Sequence, residues 1–196
     1  MYYVVKYSGP FGFIKPWTAV RDSETYSQQF LTPSIIEGIE KKLFPELLSK
    51  TGEISKIVRH RLNYCGIDSQ QERTWSKGKF EKEKKIDSLG RTYYIAKNMG
   101  IITRGILLSP NLYLAFKEEQ DANRAFNQTI CLCRNEDLLF PEVFTVMSNE
   151  DFDKVDGFEL KASSPERGFK VGYNRFDNCS EMFGELTVIG NPIRNF

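Results

Sequence analysis

One imidazole and four thiols are the side chains of this sequence whose own chemistry operates near neutral pH: His60, Cys65, Cys131, Cys133 and Cys179. A Ser-His-Asp or Cys-His nucleophile arrangement would have to use His60. That residue alternates with Val58, Leu62 and Tyr64 on an apolar face, where a core histidine is the expected role. The enzymatic alternative is a metal-independent endoribonuclease in which His60, Tyr64 and a lysine act as base, acid and charge clamp. Cys131 and Cys133 are spaced C-x-C, which on a strand puts both sulfurs on one face, but structural zinc usually takes C-x-x-C pairs or several histidines. The thiols therefore read as reduced, small hydrophobes, with no metal and no cofactor expected. The chain has no P-loop, H-E-x-x-H, G-x-S-x-G or G-x-G-x-x-G motif.

For nucleic acid the inventory is richer, because single-stranded RNA is held by cations on its phosphates and by flat rings on its bases. The segment QQERTWSKGK offers Arg73, Trp75, Lys77 and Lys79 just after Gln70 and Gln71. Lys15, Trp17 and Arg21 form a second interleaved set. Arg59 and Arg61 share a strand face with Ile57 and Asn63, opposite the face that carries His60. Charge is polarised along the chain. Residues 50 to 97 hold twelve Lys/Arg against six Asp/Glu, a net of +6, whereas residues 116 to 160 hold four against eleven, a net of −7. This asymmetry fits a polyanion on one surface and a protein neighbour on another; two solvated faces are the plainer alternative.

The elements that must position these groups follow from the pattern. A chain of 196 residues with 40% apolar residues and 27% charged ones is long enough for a core without disulfide staples. No apolar run approaches the ~20 residues that span a bilayer, and the start MYYVVKYSGPFGF has no signal-peptide pattern, so the expectation is a cytoplasmic chain that makes no membrane contact. Tyr2 to Tyr7 reads as a strand, and residues 11 to 30 as a long ordered loop. Thr32 and Pro33 then open a helix with a stripe at Ile35, Ile36, Ile39 and Leu43. Gly38 lies mid-helix, where it costs about 1 kcal/mol relative to Ala, so a close approach of backbone or ligand is expected there. Ile54 to Tyr64 alternates as a strand, and Lys77 to Lys85 reads as a mobile charged loop or hairpin tip. Ile101 to Leu108 and Leu112 to Phe116 read as a hairpin around Ser109, Pro110 and Asn111, followed by a helix over residues 117 to 128 and a strand at Thr129 to Cys133. Further short strands are expected at Val143 to Met147, Phe158 to Lys161, Phe169 to Tyr173 and Phe183 to Ile189. The order predicts an α+β, ferredoxin-like or RRM-like domain over residues 1–134, with a basic insertion at 67–98. Residues 135–196 are expected to form a small β-rich C-terminal subdomain.

Two segments resemble a known family. Pro16 to Phe44 is similar to the opening of the CRISPR-associated Cas-five family of the RAMP superfamily, in which a long loop leads through a Thr/Ser-Pro-Ser step into a glycine-bearing helix; Thr32, Pro33, Ser34 and Gly38 match. Cys133 to Val143 resembles a second stretch, Gly-Arg-Ser-Glu-Asp-Leu followed by Glu-Val. There Arg134, Glu136, Asp137, Leu138, Glu142 and Val143 match, with Cys133 in place of the glycine and Asn135 in place of the serine. The resemblance spans residues 1 to 146 and implies a non-catalytic RNA-binding subunit of a type I Cascade surveillance complex in antiviral defence. Such a subunit grips the 5′ handle of the CRISPR guide RNA, contacts the backbone and large subunits, and meets target DNA indirectly through the complex. A thumb-like insertion is also implied, at Ile67 to Asn98. On this reading Arg59, Arg61, Arg73 and Lys77 hold phosphates, Trp17 or Trp75 stacks a base, and the loop around Arg134 fixes the turn of the handle. Some members cleave precursor RNA with a tyrosine, a lysine and a histidine, but this chain has no Lys-His pair. A ferredoxin-like protein-interaction domain without nucleic acid is the further alternative.

Overall fold

The computed structural model describes residues 1–18, 23–49, 52, 54–75, 82–96, 99–173 and 179–194, with Trp75, Lys82, Ala96 and Met99 described by their backbone alone. In chain order the elements are β1 (Tyr2–Ser8), β2 (Phe11–Gly12), β3 (Glu24–Tyr26), α1 (Pro33–Leu43), β4 (Ile57–Asn63), β5 (Gly66–Trp75), β6 (Lys82–Ile86), β7 (Thr92–Ala96), β8 (Met99–Leu108) and β9 (Asn111–Phe116). They continue with α2 (Glu119–Phe126), β10 (Ile130–Cys131), β11 (Leu138–Met147), α3 (Asn149–Asp153), β12 (Gly157–Ser163), β13 (Phe169–Tyr173) and β14 (Glu181–Ile189).

The main sheet has eight strands in the order β10-β11-β1-β9-β4-β12-β14-β13, and every neighbouring pair is antiparallel. Within it, β1-α1-β4-β9-α2-β11 is a split βαβ pair in the spatial order 4-1-3-2, the ferredoxin-like arrangement of an α+β fold. The fourth core strand differs from the expected one. Thr129 to Cys133 supplies only the two-residue β10, and the strand beside β1 is β11, which pairs from Tyr2↔Met147 to Ser8↔Phe140. The ferredoxin-like core thus runs past residue 134, and the β-rich C-terminal stretch, β12 to β14, is hydrogen-bonded onto β4 as further strands of the same sheet.

Helix α1 forms where the spacing placed it, with Thr32 at its N-cap, Pro33 in its first turn, and Ile36, Ile39 and Leu43 buried. These pack with Val5, Tyr7, Leu62, Tyr64, Leu112, Leu114 and Phe116 in the core between helices and sheet. Glu40 is buried on the same stripe and accepts hydrogen bonds from the backbone N–H groups of Ser55, Lys56 and Ile57 at 2.5 to 3.1 Å. A carboxylate on α1 therefore fixes where β4 begins. Gly38, by contrast, faces open space: a Cβ added there would meet nothing within 4 Å, so among the described residues no part of the chain makes the expected close approach.

The second sheet stands apart from the core strands. β5 and β8 pair over ten residues from Gly66↔Leu108 to Trp75↔Met99, and β3 (parallel) and β2 (antiparallel) brace the base of β8. The runs flanking Ser109 to Asn111 are therefore not a hairpin: β8 belongs to this sheet and β9 to the main one. Ser109 takes a left-handed φ of 45° and Pro110 follows it, so the chain turns a corner from one sheet to the other. Farther along the insertion, β6 and β7 make a separate ribbon from Lys82↔Ala96 to Ile86↔Thr92. Its turn is set by Asp87, whose Oδ1 accepts from the N–H groups of Leu89 and Arg91, each at 2.9 Å, and by Gly90 at φ 78°. The stretch expected as a mobile charged loop is thus a strand from Lys82 onward, and residues 76–81 lie outside the described set.

Candidate nucleic-acid interface

The arginine pair on β4 does not face solvent. Arg61 is 1% exposed, its guanidinium donates to Glu159 on β12, and it lies over the Phe152 ring at 5.3 Å. Arg59 donates through Nε and Nη2 to Glu159 at 3.0 and 2.8 Å and through Nη1 to Asp153 at 2.6 Å, with its own guanidinium 4.9 Å from the same ring. The expectation that these two groups hold phosphates is therefore corrected. Helix α3 carries Phe152 and Asp153 across the sheet face opposite α1 and α2, and buried Glu159 together with Asp153 balances the two guanidiniums. Burial pushes the Glu159 pKa up, but the hydrogen bonds and charges of Arg59 and Arg61 prevail and hold it at about 2.

His60 is buried, as the apolar pattern predicts, and its Nε2 has no partner among the described residues. Burial, reinforced by the charges of Arg61, Arg59 and Lys161, holds its pKa at about 4 against the opposing pull of Glu159. A β-bulge between Ile57 and Arg59 alters the faces read from strict alternation. Ile57 joins Leu62 and Tyr64 in the main core, whereas Val58 packs with Phe152, Val4 and Ala115 on the arginine side.

Arg134 is also held internally. Its Nε and Nη2 donate to buried Asp137, its Nη1 donates to Gln70 at 2.9 Å and to Glu72, and its guanidinium lies 5.3 Å from the Phe13 ring. Arg104 meets the same ring from β8, at 5.4 Å, and pairs with Glu72 at 3.7 Å. Arg134 and Gln70 thus pin the loop after β10 to the base of the β5–β8 arm, so the Arg134 guanidinium is engaged within the chain.

What remains open is a different set. Lys15 is exposed, and Trp17 keeps 46% of its surface free beside Tyr173, ring centroids 6.2 Å apart and planes at 81°. On β5, Gln71 and Arg73 are exposed, on the face opposite Gln70 and Glu72. Arg21 and Lys77 lie outside the described residues, as does the Trp75 side chain. The β6–β7 ribbon adds cross-strand pairs that sequence reasoning missed, Lys84↔Tyr94 and Lys85↔Tyr93, with all four residues exposed. The available signal was the Asp87-to-Gly90 turn between Lys84-Lys85 and Tyr93-Tyr94, which sets cations opposite rings once the two runs pair. Cys131 accepts from Lys42 Nζ at 2.9 Å, and no group of three or more His, Cys, Asp or Glu suited to a metal occurs among the described residues. Among those residues no helix is long and apolar enough to cross a membrane.

No family model and no curated protein matches the chain. Among solved structures, a chain described as a CRISPR RNA-guided surveillance complex matches with a TM-score of 0.55 at 9% identity, covering 96% of this chain and 90% of that one. At that identity the likeness is one of fold, and it extends across both sheets rather than over the ferredoxin-like core alone.

Proposed function

We propose that this chain is a non-catalytic CRISPR RNA-binding subunit of a type I Cascade-like surveillance complex, gripping the 5′ handle of the guide RNA beside the backbone and large subunits. The observation that carries this reading is the likeness in fold, over 96% of the chain, to a chain from an RNA-guided surveillance complex. Its chemistry supports the same direction. The β6–β7 ribbon sets Lys84 opposite Tyr94 on one face and Lys85 opposite Tyr93 on the other, each a cation-and-ring pair suited to a single strand whose bases lack a pairing partner. Lys15, Trp17, Gln71 and Arg73 are further exposed candidates. Buried His60, with its pKa at about 4, favours binding over cleavage, because its imidazole is packed away from the surface where a substrate would approach. The test is to express the chain with its neighbouring subunits and a guide array, then sequence the nucleic acid that co-purifies. Guide RNA protected at its 5′ end, uncut by this chain alone, is the expected outcome, and a complex of normal stoichiometry lacking RNA contacts at this subunit would refute it.

A further inference from the structure

A cleft of about 810 Å³ opens between the first turns of α1 and the β13–β14 edge, walled by Trp17, Pro33, Ser34, Glu37, Val171 and Tyr173. Its size falls within the ~300–1,000 Å³ of ordinary ligand sites. We infer that it is a subsite for one unstacked base, with guanine the base it prefers; the occupant rests on the RNA-binding reading above.

Three features of the walls lead there. Trp17 offers an open indole plane that is held in position, since Tyr173 stands nearly perpendicular to it and is itself steadied by Lys170, 4.0 Å from its ring. Val171 lines the same space and leaves little for water to bond, which favours a flat ring over a solvated polar group. The wall opposite carries a fixed carboxylate: Glu37 Oε1 accepts from Lys41 Nζ at 2.5 Å and from the Gly52 N–H at 3.0 Å. Both bonds fall on Oε1, so the two acceptor positions that remain are on Oε2. Guanine is the RNA base that presents two adjacent N–H donors, N1–H and N2–H, on its Watson–Crick edge, and the free Oε2 can accept from both. Lys41 offsets the charge of Glu37, so the acid does not repel an incoming phosphodiester chain.

With two tryptophans in the chain, a Trp75→Phe protein leaves Trp17 as the single indole reporter. Guanosine, adenosine, cytidine and uridine 5′-monophosphates are titrated separately while Trp17 fluorescence is read. Saturable quenching is expected, with guanosine monophosphate half-saturating at about one tenth the concentration of the others, the ratio expected of two hydrogen bonds to one charged oxygen. Glu37→Gln should level the four nucleotides while quenching persists. No saturable quenching by any nucleotide overturns the cleft as a base site, and an unchanged order in Glu37→Gln overturns the carboxylate's role. Neither result touches the guide-RNA reading, which the co-purification decides independently.

Discussion

Histidine and glutamate at the β4–β12 junction both have depressed pKa values, His60 through burial and Glu159 through its arginine partners against burial. His60 has its pKa held at about 4 by burial first, below its ordinary 6.5, so the native state declines a proton that the unfolded chain accepts. Stability from this source is complete above pH 6.5 and is lost as the pH falls toward 4, by about 1.4 kcal/mol per pH unit and about 3 kcal/mol in all. Glu159, with its pKa lowered from 4.5 to about 2, behaves likewise at lower pH: its contribution is complete above 4.5 and lost as the pH falls through 2. Acid unfolding should therefore proceed in two overlapping stages. His60→Leu removes an imidazole whose buried Nε2 has no partner among the described residues, and should flatten the first stage while leaving the second. Urea midpoints across that pH range would test this, and an unaltered slope between 6.5 and 4.5 in the variant would assign the loss to another group.

Elements differ in how much of them the sequence exposes, and α1 is the clearest contrast. Its Thr32-Pro33 start and apolar stripe were legible because helix-start residues and 3.6-residue spacing are local facts, and the structure places both where they were read, although the Thr32 hydroxyl meets Ser34 Oγ rather than a helix N–H. The close contact expected at Gly38 was not local, and no neighbour approaches an added Cβ. Gly38→Ala should then raise stability by about 0.5 to 1 kcal/mol, because a solvent-facing helical glycine only adds entropy to the unfolded chain. If thermal melts show that gain while guide-RNA affinity drops, the glycine serves RNA approach in the complex rather than packing in the free chain. The fourth core strand was misplaced for a comparable reason. Thr129 to Cys133 and Leu138 to Met147 are both β-rich, and only pairing with β1 decides which one completes the sheet. Local alternation also missed the bulge at Val58, since an extra residue is visible only against the partner strand. The β8–β9 corner was likewise read as a hairpin because a turn's residues do not say which strands will pair across it.

At the scale of the whole molecule, the basic and acidic stretches of the sequence partly meet inside it. Buried Glu159 takes up Arg59 and Arg61 across the two stretches, and buried Asp137 takes up Arg134 within the acidic one, so three of the cations that seemed available for RNA serve to join elements. Of the cations expected or found on the insertion, Lys84 and Lys85 on the β6–β7 ribbon and Arg73 on β5 stay exposed. This distribution moves the expected electrostatic contact from the sheet to the arm. Each ribbon lysine that meets a phosphate of single-stranded RNA releases about 0.7 of a counterion, so Lys84→Ala/Lys85→Ala should flatten the log affinity against log salt slope by about 0.7 for a strand that follows one face of the ribbon and about 1.4 for one that wraps both. Arg59→Ala/Arg61→Ala should instead leave the slope unchanged and lower stability by about 3 to 5 kcal/mol or more, because it strands the Glu159 carboxylate in the interior. The milder Arg61→Met retains bulk beside Phe152 and keeps the comparison possible should the double variant not fold. Guide-RNA affinities at several salt concentrations, paired with urea melts of each protein, separate the two roles. A slope that responds to the buried arginines but not to the ribbon lysines would return the RNA contact to the sheet face that α3 now covers.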